Sequence, residues 1–214
     1  MSRLGVAVGY VGKVAVALTQ IRYSNLKEYL FERYVNAVAS QHTDEVDISA
    51  LLDMADPVHA VHWDRGDGNL THYELLCLNA IVKPYVRDGF VEIGTYDGRT
   101  ACNVAVNNPG SVVHTLDLPP GASPTHDVGM DIVVIRAREE LAMKCVESPN
   151  VVMHHGDSAT FDFSTLSFQA CLIDGAHSDF YVRNDTEKML QHIDRSAAPG
   201  ALIVWHDYGT VPAV

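Results

Sequence analysis

Apolar and polar positions in the second half of the chain fall into two alternating rhythms. Short apolar runs appear in GFVEIG, SVVHTLDL, NVVMHHGD, ACLIDGA and PGALIVWHDY, each about the length of a buried strand. Between them lie TACNVAVNN, DIVVIRAREELAMKCVE and DFYVRNDTEKMLQHI, which read as helices. In the last of these Val182, Met189, Leu190 and Ile193 are expected to share one face. Strands alternating with helices predict an α/β fold, a Rossmann-like doubly wound sheet with strands one to five parallel and covered on both faces. Upstream, IRYSNLKEYLFERYVNAVASQ spaces Leu26, Leu30, Tyr34 and Val38 four apart, the mark of an amphipathic helix. Asp44 to Asn69 is acidic and turn-rich, a short helix plus a loop. Thr71 is an N-cap for THYELLCLNAIVKPYV, with Glu74 completing a capping box and Pro84 near the end. The expected division is an N-terminal helical or cap segment over 1–70 and a core over 71–214.

On such a sheet, ligands bind beyond the carboxyl ends of the strands. The first strand runs into VEIGTYDGRT, which has neither the GxxxxGK[ST] of a phosphate loop nor the GxGxxG of a dinucleotide site. What remains is Glu92, Gly94 and Gly98 as E-x-G-x-x-x-G. These glycines either let backbone approach a nucleoside or serve an ordinary strand-to-helix turn. Tyr96 and Asp97 lie inside the loop. The second strand ends in Asp117, about 20 residues past the glycines, where a carboxylate can accept both ribose hydroxyls. The third ends in Asp157 and Ser158, placed for an adenine edge. The fourth ends in Asp174, and the fifth in His206 and Asp207. Solvated loop ends account for one or two such residues and account poorly for five strands in succession.

VEIGTYDGRT, TLDLPP, GDSATFDF, IDGAHSDFYVRNDTEKML and PGALIVWHDY together resemble the class I S-adenosylmethionine-dependent methyltransferases. Within that class they look like a bacterial O-methyltransferase-like group related to the caffeoyl-CoA and antibiotic-sugar enzymes. The resemblance covers roughly residues 70 to 210. It implies S-adenosyl-L-methionine as cofactor, with Glu92 contacting the methionine moiety or ordering the glycine loop, Asp117 on the ribose and Asp157 near the adenine amine. It also implies a divalent metal ion, Mg, Mn or another, held by Asp174, His206 and Asp207. Relatives carry acid–acid or acid–Asn at the last pair, so His206 departs from the pattern and makes a softer site. The alternative is that Asp207 caps a turn while His206 packs beside Trp205. His177 matches a histidine that some sugar-methylating relatives use as general base, and an ordinary imidazole pKa of about 6.5 suits that task. It is equally readable as a neighbour of the N-cap Ser178. His154 and His155 are expected in or beside strand three, without chemistry.

The function implied is methyl transfer to the hydroxyl of a small-molecule acceptor. A non-catalytic methyltransferase-like binding scaffold, a related hydroxylase-like enzyme and an NAD-dependent enzyme are the alternatives. Composition narrows the partners. With 214 residues, 47% of them hydrophobic and 20% charged, the chain has enough material for a single core. A net charge of −12 argues against nucleic acid, which favours a basic face. Cys77, Cys102, Cys145 and Cys171 have no framework spacing and read as reduced thiols of a cytoplasmic protein. LGVAVGYVGKVAVAL has the look of a signal-peptide core, but Lys13 interrupts it. No run approaches the roughly 18 apolar residues of a membrane span. The resembling fold closes its sheet with a further helix and an antiparallel strand pair, whereas only GTVPAV follows WHDY. Those strands are expected to be missing and strand five to be an open edge. Self-association into a homo-oligomer or low solubility should follow unless a partner or further residues cover it.

Overall fold

A computed structural model of the chain describes residues 56–207, apart from 67, 129–130, 133–142, 145–147 and 197. These residues belong to one compact unit. The helix expected around Leu26–Val38, most of the expected 1–70 segment, most of the helix expected over 131–147 and everything after Asp207 lie outside the described residues.

The described chain runs α1 (His72–Val82), β1 (Gly89–Ile93), α2 (Arg99–Asn107), β2 (Val112–Asp117), β3 (Val151–His155), a 3-10 turn (Phe163–Thr165), β4 (Ala170–Ile173), α3 (Asp179–His192) and β5 (Leu202–Trp205). The five strands form one sheet in the order β3-β2-β1-β4-β5. Every pairing is parallel, as the apolar runs predicted. Strand order reverses between β1 and β4, the place at whose carboxyl ends open α/β sheets take their ligands. Among the described residues, β3 pairs only with β2 and β5 only with β4.

Period-two alternation divides each strand between two cores. Phe90, Val113, Ala170 and Leu172 face Leu75, Leu78 and Val82 of α1 and Ala101, Cys102 and Val104 of α2. Val91, Ile93, Leu116, Cys171 and Ile173 face Met189 of α3, Ile193, and Phe163 and Phe168 of the β3–β4 connection. The local signals act as read. Thr71 Oγ1 accepts from the Glu74 amide at 3.1 Å and Glu74 Oε2 accepts from the Thr71 amide at 2.7 Å, a closed capping box. His154 and His155 lie within β3.

Two features differ from expectation. In α3 the buried residues are Tyr181, Asp185 and Met189, while Leu190 is exposed. The inner face is therefore an i, i+4 row that includes a carboxylate, which no apolar pattern registers. The stretch before α1 also includes a strap along α2. Asn107 and Asn103 bond both the amide and the carbonyl of His59 and Val61 at 2.8–2.9 Å. The buried Arg99 guanidinium donates to the carbonyls of His62 and Leu70, each at 2.9 Å. Side-chain amides one turn apart on a helix thus satisfy backbone that lacks a strand partner. Among the described residues, no helix is long and apolar enough to cross a membrane.

Candidate active site

The strand ends open onto a cavity of ≈ 270 Å³. Gly94, Tyr96, Asp117, Asp157, Ser158, Asp174, His177, His206 and Asp207, nine of the residues singled out from the sequence, line it. Glu92 and Gly98 do not; they stand behind its wall.

The glycine loop is shaped by contact with β4 as much as by a ligand. Gly94 has φ +99°, and a Cβ there would sit 2.0 Å from the carbonyl oxygen of Asp174. Only glycine permits this approach of the two loops. Gly98, at φ +79°, is the N-cap of α2. Tyr96 holds φ +54°, uncommon for an aromatic residue. Its amide donates to Asp117 Oδ2 at 3.1 Å, and the Leu118 amide donates to Asp117 Oδ1 at 2.9 Å. Asp117 is thereby aimed by two backbone donors. Asp97 turns away from the cavity, pairing with Lys144 at 2.8 Å and capping the Arg99 amide at 3.0 Å.

Glu92 is buried and accepts from Thr115 Oγ1 at 2.5 Å, which in turn lies 2.6 Å from Thr95 Oγ1. Desolvation pushes its carboxyl up to about 8, although the Thr115 bond opposes the shift. Of the two roles implied for Glu92, this geometry suits the ordering of the glycine loop, since the chain of hydroxyls ties β1, β2 and Thr95 together.

At the ends of β4 and β5 the side chains form an alternating row of acids and imidazoles. His206 Nδ1 lies 3.0 Å from Asp174 Oδ1 and 3.4 Å from Asp207 Oδ2, and its Nε2 lies 3.7 Å from Glu74 Oε2. His177 Nε2 lies 3.2 Å from Asp207 Oδ2, and its Nδ1 lies 3.3 Å from Asp131 Oδ2. Burial disfavours a charged His206, but Asp174, Asp207 and Glu74 outweigh it and push its pKa up to about 12. Asp131 and Asp207 likewise raise His177 to about 10. Both rings are therefore cations at neutral pH in this arrangement, and the ordinary imidazole pKa expected of His177 does not hold there. Burial raises Asp207, yet His177 and His206 hold it well below the usual carboxylate range. Asp207 also adopts φ +56°, a left-handed conformation that short polar side chains tolerate.

Asp174, His206 and Asp207 can each present one ligand atom so that all lie within 4.8 Å of one another. The three residues expected to hold a metal are thus together, and one imidazole with two carboxylates suits a divalent ion once His206 has given up a proton to it. Two members of the row were not anticipated. Glu74 had been fully explained by its capping box, and its Oε2 serves His206 as well. Asp131 read only as the start of a helix. Neither carries a signal in sequence, because each meets its partner through the fold.

The sequence model of the family described as "Methyltransferase domain" matches residues 91–208. No curated protein matches the chain. Among solved structures it is similar to an S-adenosylmethionine-bound amino pentose methyltransferase of Micromonospora echinaspora, involved in calicheamicin biosynthesis. Identity there is 21% and the TM-score 0.40, with 63% of this chain and 49% of that one covered. It is similar too to a putative caffeoyl-CoA O-methyltransferase from Staphylococcus aureus, at 16% identity and TM-score 0.46 over 84% of this chain and 73% of that one. A third is the S-adenosylhomocysteine-bound methyltransferase of Podospora anserina, at 13% identity and TM-score 0.47 over 87% and 72%. The chain spans about half the length of the first of these.

Proposed function

The chain belongs to the methyltransferase-domain family, and from that premise we propose that it moves the sulfonium methyl of S-adenosylmethionine to a hydroxyl oxygen of a small molecule. The observation that carries this reading is a single cavity joining a nucleoside-sized cradle to a row of acids and imidazoles.

Each half of the cavity has its task. At the cradle, Gly94 and Gly156 let backbone come close to a bound nucleoside, and Leu116, Leu118, Pro124 and Val128 supply apolar wall. Asp117, aimed by the Tyr96 and Leu118 amides, accepts the ribose hydroxyls. Across the cavity the acids Glu74, Asp131, Asp174 and Asp207 surround two imidazolium rings. Burial raises the Asp174 carboxyl, while the imidazoles help to hold Glu74, Asp131 and Asp207 low, which leaves a net negative charge that favours a sulfonium cation beside it. Methyl displacement needs little covalent help from protein. It needs an in-line approach and an activated hydroxyl. The triad of Asp174, His206 and Asp207 fits a divalent ion, which when bound would lower the pKa of an acceptor hydroxyl and fix its direction. His177, held between Asp131 and Asp207, would receive the acceptor's proton after losing its own to solvent, a loss that its raised pKa makes costly. A small acceptor rather than a nucleic acid suits the net charge of −12.

Transfer of labelled methyl from S-adenosylmethionine to a panel of small hydroxyl compounds tests the proposal, with and without chelator. Transfer lost with chelator and restored by Mn or Mg is the expected result. Transfer to amines or thiols but to no hydroxyl would overturn the O-methylation reading.

A further inference from the structure

The two ring nitrogens of His206 meet partners that differ in their place in the fold. The backbone is fixed first: the His206 amide donates to the Ile173 carbonyl at 3.1 Å, which fastens the turn after β5 to the end of β4. Nδ1 then lies 3.0 Å from Asp174 Oδ1 and 3.4 Å from Asp207 Oδ2, the two acids that can share a divalent ion with it. Nε2 lies 3.7 Å from Glu74 Oε2, at ion-pair distance. Asp174, His206 and Asp207 line the cavity, whereas Glu74 stands outside its lining. A half-exposed glutamate would ordinarily wander among rotamers. This one does not, because its Oε2 accepts from the Thr71 amide at 2.7 Å and its own amide donates to Thr71 Oγ1 at 3.1 Å. The helix that carries it is anchored by Leu75, Leu78 and Val82 in the core.

We propose that Glu74 is a positioning residue for His206: it faces the Nε2 proton and so leaves Nδ1 as the nitrogen that joins Asp174 and Asp207 on a divalent ion. This rests on the reading that those three residues hold the ion. It goes beyond that reading in assigning the choice of nitrogen, and the orientation of the ring, to a residue of α1. A ligating imidazole has one nitrogen on the metal and a proton on the other, and a carboxylate facing that proton fixes both tautomer and ring plane. Binding of the ion displaces the Nδ1 proton to solvent and leaves the Nε2 proton on the ring. An acidic side chain at position 206 would have no second nitrogen to satisfy; the imidazole has one, and Glu74 is the carboxylate within reach of it. The capping box thereby has two tasks. It satisfies the first amides of α1, and it aims a carboxylate at the ring.

The test is titration of the full chain with Mn(II), without cofactor or acceptor, the free ion being read by electron paramagnetic resonance. The parent is compared with Glu74→Ala, Glu74→Gln and Thr71→Ala. Glu74→Ala should weaken Mn(II) binding about 10- to 100-fold, the usual cost of losing a partner that orients a metal ligand. Glu74→Gln keeps an acceptor for the Nε2 proton and for the Thr71 amide, and should stay within about fivefold of the parent. Thr71→Ala removes the other half of the capping box but keeps the carboxylate, and should stay within about twofold. A loss in Thr71→Ala as large as that in Glu74→Ala would mean that only the start of the helix matters, and would overturn the proposal. Equal losses in Glu74→Gln and Glu74→Ala would make the carboxylate a source of charge or a ligand itself, and would overturn it too, as would parental affinity in Glu74→Ala. A long-range proton–nitrogen NMR spectrum of the Zn(II)-loaded parent depends on no variant. A proton on Nε2 of His206 is expected there, and a proton on Nδ1 with the ion on Nε2 overturns the proposal. A parent that binds no Mn(II) overturns the metal reading together with it.

Discussion

The two halves of the cavity are built in opposite ways. At the ends of β1, β2 and β3, positions are fixed by backbone: Gly94 against the Asp174 carbonyl, the Tyr96 and Leu118 amides on Asp117, and the Thr125 and Ala159 amides on Asp157. At the ends of β4 and β5 they are fixed mainly by side chains, as imidazoles between carboxylates from α1, β4, the segment at Asp131 and the turn after β5, with the Thr71 amide on Glu74 and the His177 amide on Asp131 as backbone donors. The first half is a preformed mould for a ligand that always has the same shape. The second is a charge balance that a proton, a metal ion or an acceptor can redistribute. That difference says where mutation should break the fold, where it should break binding and where it should break chemistry alone.

The largest effect should come from the mould. Gly94→Ala places a Cβ into the Asp174 carbonyl at a φ that alanine avoids, and should cost about 4 kcal/mol or more of stability. Urea denaturation checks this, and a loss below about 1 kcal/mol would show that the two loops are not in contact as described. On the other side, Asp207→Ala removes the carboxylate shared by His177 and His206. Methyl transfer should fall by roughly a hundredfold or more, while the affinity for S-adenosylhomocysteine stays within about twofold. His177→Gln should behave similarly. If both variants keep parental rates, the chemistry assigned to this half is wrong although the mould stands.

Glu92 gives a smaller, pH-dependent contrast. Its folded pKa, about 8, is above the ordinary value of 4.5, so between those limits the folded protein holds a proton that the unfolded chain has released. Stability is fully present below about 4.5 and declines as pH rises towards 8. Glu92→Gln retains an acceptor for Thr115 and has no proton to lose. It should flatten the decline, leaving the variant relatively more stable by roughly 3–4 kcal/mol at pH 8.5 than at pH 5. Parallel pH profiles of parent and variant would show that Glu92 does not carry the titration.

This contrast also explains what could be read from the sequence. The mould was legible because glycine at φ > 0, short apolar runs and acids at strand ends are local signals, and the capping box of Thr71 and Glu74 was equally local. The charge balance was legible only in part. Asp174, His177, His206 and Asp207 lie at strand ends and were found. Glu74 and Asp131 reach the same row from elements distant in sequence, and each had a sufficient local explanation. Asp185 was missed for another reason. A carboxylate buried on the inner face of α3 breaks the hydrophobic period that placed Leu190 there. Fold geometry also supplied what no spacing shows, the ion pairs that turn His177 and His206 into cations.

The central claim is that the cavity is an S-adenosylmethionine site with Asp117 on the ribose, and calorimetric titration of S-adenosylhomocysteine into the parent and Asp117→Ala tests it most directly. The account predicts saturable one-to-one binding to the parent and a loss of about 1.5–3 kcal/mol in the variant, the range for hydrogen bonds to a charged group. Equal affinity in the two proteins, or no saturable binding to the parent, would contradict it.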